Sequence, residues 1–188
     1  MKNIFITFSL VFNLLLAFNT SATKLLPINL EQLSTRASLI FYATVINNTA
    51  QKDIQSGQIV TFTEFEIIEL IKGSANSIHT IKQLGGQLKE SNIKFQIDGV
   101  PKYQIGNQYV VFLPQKSSLG FSSPLGLNQG SFSVENIDGE TIITNGRNIA
   151  ALQAANKQTQ LSLSALSNKP AHASLSDFIN TIHAHNKK

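Results

Sequence analysis

There is no cysteine in this 188-residue chain. That excludes disulfides, thiolate nucleophiles, iron–sulfur clusters and cysteine-based zinc sites. Charge is scarce as well. Asp, Glu, Lys and Arg are 14% of the residues, so the polar surface falls largely to Asn, Gln, Ser and Thr. The 15 Lys and Arg barely exceed the 11 Asp and Glu, and the charges are scattered, with no basic run longer than Lys187-Lys188. A nucleic-acid interface is a basic stripe, so no nucleic-acid partner is expected. The small positive excess favours at most loose association with an anionic envelope. No internal repeat appears at a solenoid period.

Catalytic and cofactor signatures are equally sparse. The four histidines, His79, His172, His183 and His185, form no H-E-x-x-H frame. His183 and His185 lie about 200° apart on a helix and read as part of a mobile terminus, and His79 reads as a strand residue on a polar face. No serine stands in G-x-S-x-G; Gly130-Ser131-Phe132 lacks the second glycine. Leu84-Gly85-Gly86 lacks the spacing and the Lys-Ser/Thr pair of a phosphate loop. No metal and no cofactor is expected. Gly85, Gly86, Gly106 and Gly130 read as turn or close-approach glycines rather than as ligand-lining ones.

What is present begins with a leader. Lys2 precedes an apolar run over residues 4–18, and Thr20 and Ala22 suit the small-residue positions of a signal-peptidase site. The run is short for a membrane span. Residues 1–22 are therefore expected to be a signal peptide cleaved after Ala22, leaving no stable membrane anchor and placing the protein in the periplasm or the medium. The expected organisation of the rest is a β-domain over 23–147, a polar, partly helical linker over 148–173 (helical across 149–156), and a C-terminal helix and tail over 174–188.

Within the β-domain, residues 27–37 read as a short helix with Asn29 and Gln32 in capping-box positions. Strands are expected at 38–46, 59–71, 77–84 and 108–113, with a polar loop over 47–57. The alternation of Ile93, Phe95 and Ile97 suggests another strand. The apolar phase slips between Phe62 and Phe65, which predicts a β-bulge around Thr63-Glu64. The continuous run of 108–113 predicts a central strand buried on both faces. Residues 120–127 and 130–134 read as short strands or extended loop, and Asp138-Gly139 as a hairpin turn into 141–144. Ser174 caps an amphipathic helix whose Leu175, Phe178, Ile179 and Ile182 share one face. The fold class expected is mainly β: a small OB-like barrel or a curled antiparallel sheet, with a short N-terminal helix and a C-terminal amphipathic helix.

The order of these motifs, "T.F.E.IIELIKG" over 61–73, "LGG" at 84–86, "GVPKYQIGNQYVVFLP" over 99–114 and "GLNQGSFSV" over 126–134, resembles a group of uncharacterised exported bacterial domains. The resemblance spans roughly residues 30–144 and rests on glycines and aromatics. It implies a fold and carries no activity. The strand order is also similar to netrin-like OB barrels. Their inhibitory members chelate a protease metal through an N-terminal cysteine, which this chain lacks.

Two residue sets are candidates for function. Tyr103, Tyr109, Phe121 and Phe132 flank predicted turns; they are either core rings or an aromatic groove for peptide or glycan. Glu64, Glu66 and Glu69 share one strand and read first as its solvated face; Glu64 and Glu66 point the same way, about 6.5–7 Å apart by strand rise, a spacing also used by glycosidases or open to a cation. The expected function is a non-enzymatic exported domain that binds a macromolecule, such as an envelope protein or an extracellular protease. The alternatives are an envelope glycan hydrolase using Glu64 and Glu66, and an assembly role in which the terminal helix docks on a partner.

Overall fold

The computed structural model describes residues 26–91, 93–146 and 172–187. The expected signal peptide and most of the expected linker, including its helix over 149–156, lie outside the described residues.

Helix α1 (Leu30–Arg36) forms where the capping box predicts. The Asn29 carboxamide oxygen accepts the Gln32 N–H at 2.7 Å, and the Gln32 side chain accepts the Asn29 N–H at 3.1 Å. The chain then runs through β1 (Leu39–Lys52), β2 (Ile59–Lys72), β3 (Ile78–Leu84), β4 (Gly86–Gln87), β5 (Lys94–Phe95), β6 (Gln108–Leu113), a 3₁₀ turn (Leu127–Gly130), β7 (Ser131–Ile137), β8 (Glu140–Thr144), β9 (Ala173–Ser174) and α2 (Leu175–Asn186). Seven strands make one antiparallel sheet in the order β3-β2-β1-β6-β7-β8-β9, and β4 and β5 form a separate two-stranded ribbon. The sheet is curled and does not close, so of the two expected architectures it takes the open one. As its apolar run predicts, β6 is the middle strand, and five of its six residues are buried.

Two apolar layers sandwich the sheet. On one face α1 and α2 cover Ile40, Val110, Phe112, Phe132 and Ile143 with Leu30, Leu33, Phe178, Ile179 and Ile182. Three rings meet there: Phe132 lies 4.8 Å from Phe178 and 5.7 Å from Phe112, centroid to centroid. On the other face Phe41, Phe65, Ile81, Tyr109 and Val111 are covered by the chain that carries Tyr103 between β5 and β6. The β7–β8 hairpin turns through Asp138 and Gly139, both at positive φ (53° and 85°), as a two-residue primed turn requires.

Three expectations are corrected. First, β1 does not stop at residue 46; the polar stretch that follows still pairs with β2 through Lys52↔Ile59. Main-chain pairing does not need an apolar side chain, so polarity alone misplaced the loop. Second, the bulge lies on the partner strand. Val45 pairs with Phe65 and Asn47 with Glu64, which makes Ile46 the extra residue, while β2 remains in unbroken register with β3. A slip in apolar phase shows that two strands go out of step, not which of them carries the insertion. Third, residues 93–97 form only the short β5, because Ile93, Phe95 and Ile97 are all exposed and have no buried face to extend them.

Candidate functional site

A groove of about 800 Å³ opens between the far half of β1 and β2 and the β4–β5 ribbon. Its floor is sheet: Asn48 and Ala50 from β1, Thr61 and Thr63 from β2, and Gln83 from β3. Its opposite wall is the ribbon and the chain leading to Tyr103, including Phe95, Ile97 and Pro101.

The floor is built from polar residues at strand positions that elsewhere carry aliphatics. Thr63, fully buried, donates its hydroxyl to the Asn48 side-chain oxygen at 2.7 Å, and Asn48 in turn donates to the Tyr103 carbonyl at 2.8 Å. Thr61 donates to the Gly85 carbonyl at 2.7 Å. These bonds fasten the ribbon and its continuation to the sheet. Gly86 makes the approach possible: its φ is +150°, and a Cβ there would lie 2.7 Å from Thr61 Oγ1 and 2.8 Å from the Ala50 Cβ. The close-approach role expected of this glycine is thereby realised, and it also lines the groove. The Gln83 side-chain nitrogen is buried in the floor without a hydrogen-bond partner among the described residues. A buried donor left unpaired is costly, so this group is ready to meet an acceptor.

The rim is cationic. Exposed Lys52, Lys89, Lys94 and Lys102 border the groove against a single acid, Glu90. Residue 52 is far from 89–102 in sequence. The folding of the ribbon back onto the end of β1 gathers charges that look scattered along the chain.

The four aromatic candidates are not gathered into one groove. Tyr103 alone among them lines the cavity, and there its ring packs edge-on between Phe65 and Tyr109, 4.9 Å from each. Burial raises the pKa of its phenol above the usual tyrosine range. Tyr109 is buried in the same stack and Phe132 is fully buried beneath α2. Phe121 covers a cation: its ring lies 4.7 Å from the Lys82 ammonium. Rings next to turns face inward here because the turns fold back over the sheet.

Lys82 itself is a buried centre that the sequence did not signal. Its ammonium donates to Asp53 at 2.7 Å and to the Leu119 carbonyl at 2.8 Å. Both side chains of the pair are about nine-tenths buried. The hydrogen bond from Lys82, together with the Ser56 hydroxyl and N–H, holds the Asp53 carboxyl down at about 2. The Ser122 N–H donates to the Lys82 carbonyl at 3.0 Å and the Lys82 N–H to the Ser122 hydroxyl at 3.3 Å, so the long loop after β6 closes the outer edge of β3 at this residue.

The remaining candidates disperse. Glu64 is half-buried near the Asn47 amide at 3.4 Å and Glu66 is exposed; neither lines the groove. His79 leaves the polar face expected of it and stacks on Phe41 at 5.6 Å. Burial, reinforced by the charge of Lys116, lowers its pKa. His183 and His185 belong to the ordered last turn of α2 rather than to a free tail, and His183 faces Glu69 at 3.7 Å. Among the described residues no three His, Asp or Glu side chains form a metal-holding group, and no helix is long and apolar enough to cross a membrane. Comparison with models of known protein families and with curated proteins finds no match to the chain.

Proposed function

We propose that this chain is an exported, non-enzymatic β-domain that binds a macromolecule of the cell envelope or the surrounding medium, and that the groove beside the β4–β5 ribbon is its binding site. The observation that carries this reading is the groove: about 800 Å³, floored by polar strand residues, with four lysines around it and one acid. A ligand site of this size is ordinary for proteins, and a ring of one charge favours an oppositely charged partner. The leader over residues 1–22 supports export, and the dispersal of Glu64 and Glu66 from the groove favours binding over glycan hydrolysis.

The test compares two proteins. The mature chain and its Lys52→Glu/Lys89→Glu/Lys94→Glu/Lys102→Glu variant are used to capture partners from envelope and culture fractions, which are identified by mass spectrometry. A partner held by the first and lost by the second supports the reading. Equal capture by both overturns it. N-terminal sequencing of the exported form, expected to begin at Thr23, checks the leader.

A further inference from the structure

One edge of β1 is half open. β6 pairs with it only from Leu39↔Leu113 to Thr44↔Gln108. Val45 extends that edge by one step, donating to the Asn107 carbonyl at 3.0 Å and accepting from the Gly106 N–H at 2.8 Å. From Ile46 to Lys52 no strand among the described residues pairs on this side, although β2 continues to pair on the other. The direction of the open groups follows from the ladder. Ile67 donates to the Ser77 carbonyl and Gly85 to the Ile59 carbonyl, so the odd-numbered residues of β2 turn their peptide groups towards β3. Ala50, opposite Thr61, and Asn48, opposite Thr63, therefore face away from β2, and Lys52 follows by the same alternation.

This open edge runs along one side of the groove floor. Asn48, Ala50 and Lys52 all border it. A long unpaired edge is normally blunted or covered because it templates pairing with another chain. The β3 edge is bridged at Lys82 by Ser122, whereas this one faces a cavity. Five residues of β1 border the cavity, a length of about 13 Å, which accommodates a short extended segment. The ligand chemistry follows from the rim. Lys52 lies on this edge, Lys102 precedes Tyr103, whose carbonyl accepts from the Asn48 side chain, and Phe95 on the ribbon and Ile97 just beyond it are exposed apolar side chains.

We infer that the groove binds an extended acidic peptide segment of a partner protein, which adds as a strand to the open edge of β1 with its peptide groups against those of Asn48, Ala50 and Lys52. The inference rests on the proposed binding function and specifies its ligand. In strand addition the main chain supplies the affinity and alternate side chains supply the specificity. The acidic side chains that turn into the groove meet the lysines, and the Gln83 nitrogen in the floor, unpaired among the described residues, has an acceptor within the groove.

The experiment uses the mature protein and a fluorophore-labelled nine-residue peptide of alternating glutamate and valine, followed by anisotropy. Two further peptides carry N-methyl groups on the backbone of either the glutamates or the valines. Strand addition predicts that one methylated form binds about ten-fold or more weakly while the other is nearly unaffected, because only alternate N–H groups face β1. Equal effects of both, or none, overturn the inference without any variant having to fold. Ala50→Pro, which removes one outward N–H from an edge position that tolerates proline, is expected to weaken binding about ten-fold with Tm retained. Lys52→Glu/Lys102→Glu is expected to lose the acidic peptide and to take up its lysine–valine counterpart; retention of the acidic peptide overturns the inference. Oligogalacturonate, an anionic glycan, is the contrasting probe. If it binds through these lysines and the peptide does not bind, the peptide inference fails while the binding function stands. If the captured partner is indifferent to lysine reversal, the binding function itself fails.

Discussion

The two faces of the sheet are closed by different means. Under the helices the layer is aliphatic and aromatic, from Leu30 and Leu33 on α1 to Phe178 and Ile182 on α2, and the three rings of Phe112, Phe132 and Phe178 sit in mutual contact. Across the sheet the cover is loop and two-residue ribbon, and the groups beneath it include the Tyr103 phenol, the His79 ring, the Gln83 amide and the Thr63 hydroxyl. A helix satisfies its own backbone and can bury an apolar stripe. A loop brings unpaired peptide groups that need polar partners, and polar partners at a surface make a site. The helical half holds the sheet together; the loop-closed half is free to carry the groove.

The contrast can be broken most forcefully from the helical side. Phe178→Ala is expected to cost about 3–5 kcal/mol, because Phe178 is fully buried against two other rings. Urea unfolding followed by circular dichroism measures it. A loss under about 1 kcal/mol would mean that α2 is not part of the cooperative core. Next comes Gly86→Ala, placed by its φ and by the 2.7 and 2.8 Å approaches to Thr61 and Ala50. It is expected to cost about 1–3 kcal/mol and to lift the ribbon, so peptide binding at the groove should fall with it. Unchanged binding alongside lowered stability would separate the ribbon from the site.

Smaller again is the effect of Lys82→Met, which leaves the Asp53 carboxylate buried without its cation. A fall of a few degrees in Tm is expected, largely restored in the Asp53→Asn/Lys82→Met double variant, and calorimetry of the three proteins decides it. If the double variant is no better than the single one, the lysine acts through Leu119 and Phe121 rather than through Asp53. The smallest effect is on pH. The Asp53 pKa is lowered from 3.8 to about 2 in the folded state, so its stabilisation is fully present above about pH 4 and is lost as pH falls from there towards 2. Acid titration of Tm should show a decline in this window that Asp53→Asn lacks.

The local elements on both sides of this contrast are legible in the sequence, and the reason lies in range. The α1 capping box, the Ser174 cap and its apolar stripe, the Asp138-Gly139 turn and the doubly buried run of 108–113 each depend on residues within a few positions of one another. The bulge was misplaced because it depends on two strands at once. The aromatic candidates were sorted only by the fold. Tyr109 and Phe132 look no different in sequence from groove residues, and burial depends on what lies across the sheet.

Propensity, capping and alternation are local, and they suffice for a mainly β domain framed by two helices, free of disulfides, with particular turns and a particular central strand. The open sheet, the gathering of Lys52 with Lys89, Lys94 and Lys102 around one groove, and the half of one β1 edge that has no pairing strand among the described residues come from the fold alone. Those outcomes depend on which distant segments meet, and in a chain with so few charges and no cysteine no local signal records that meeting.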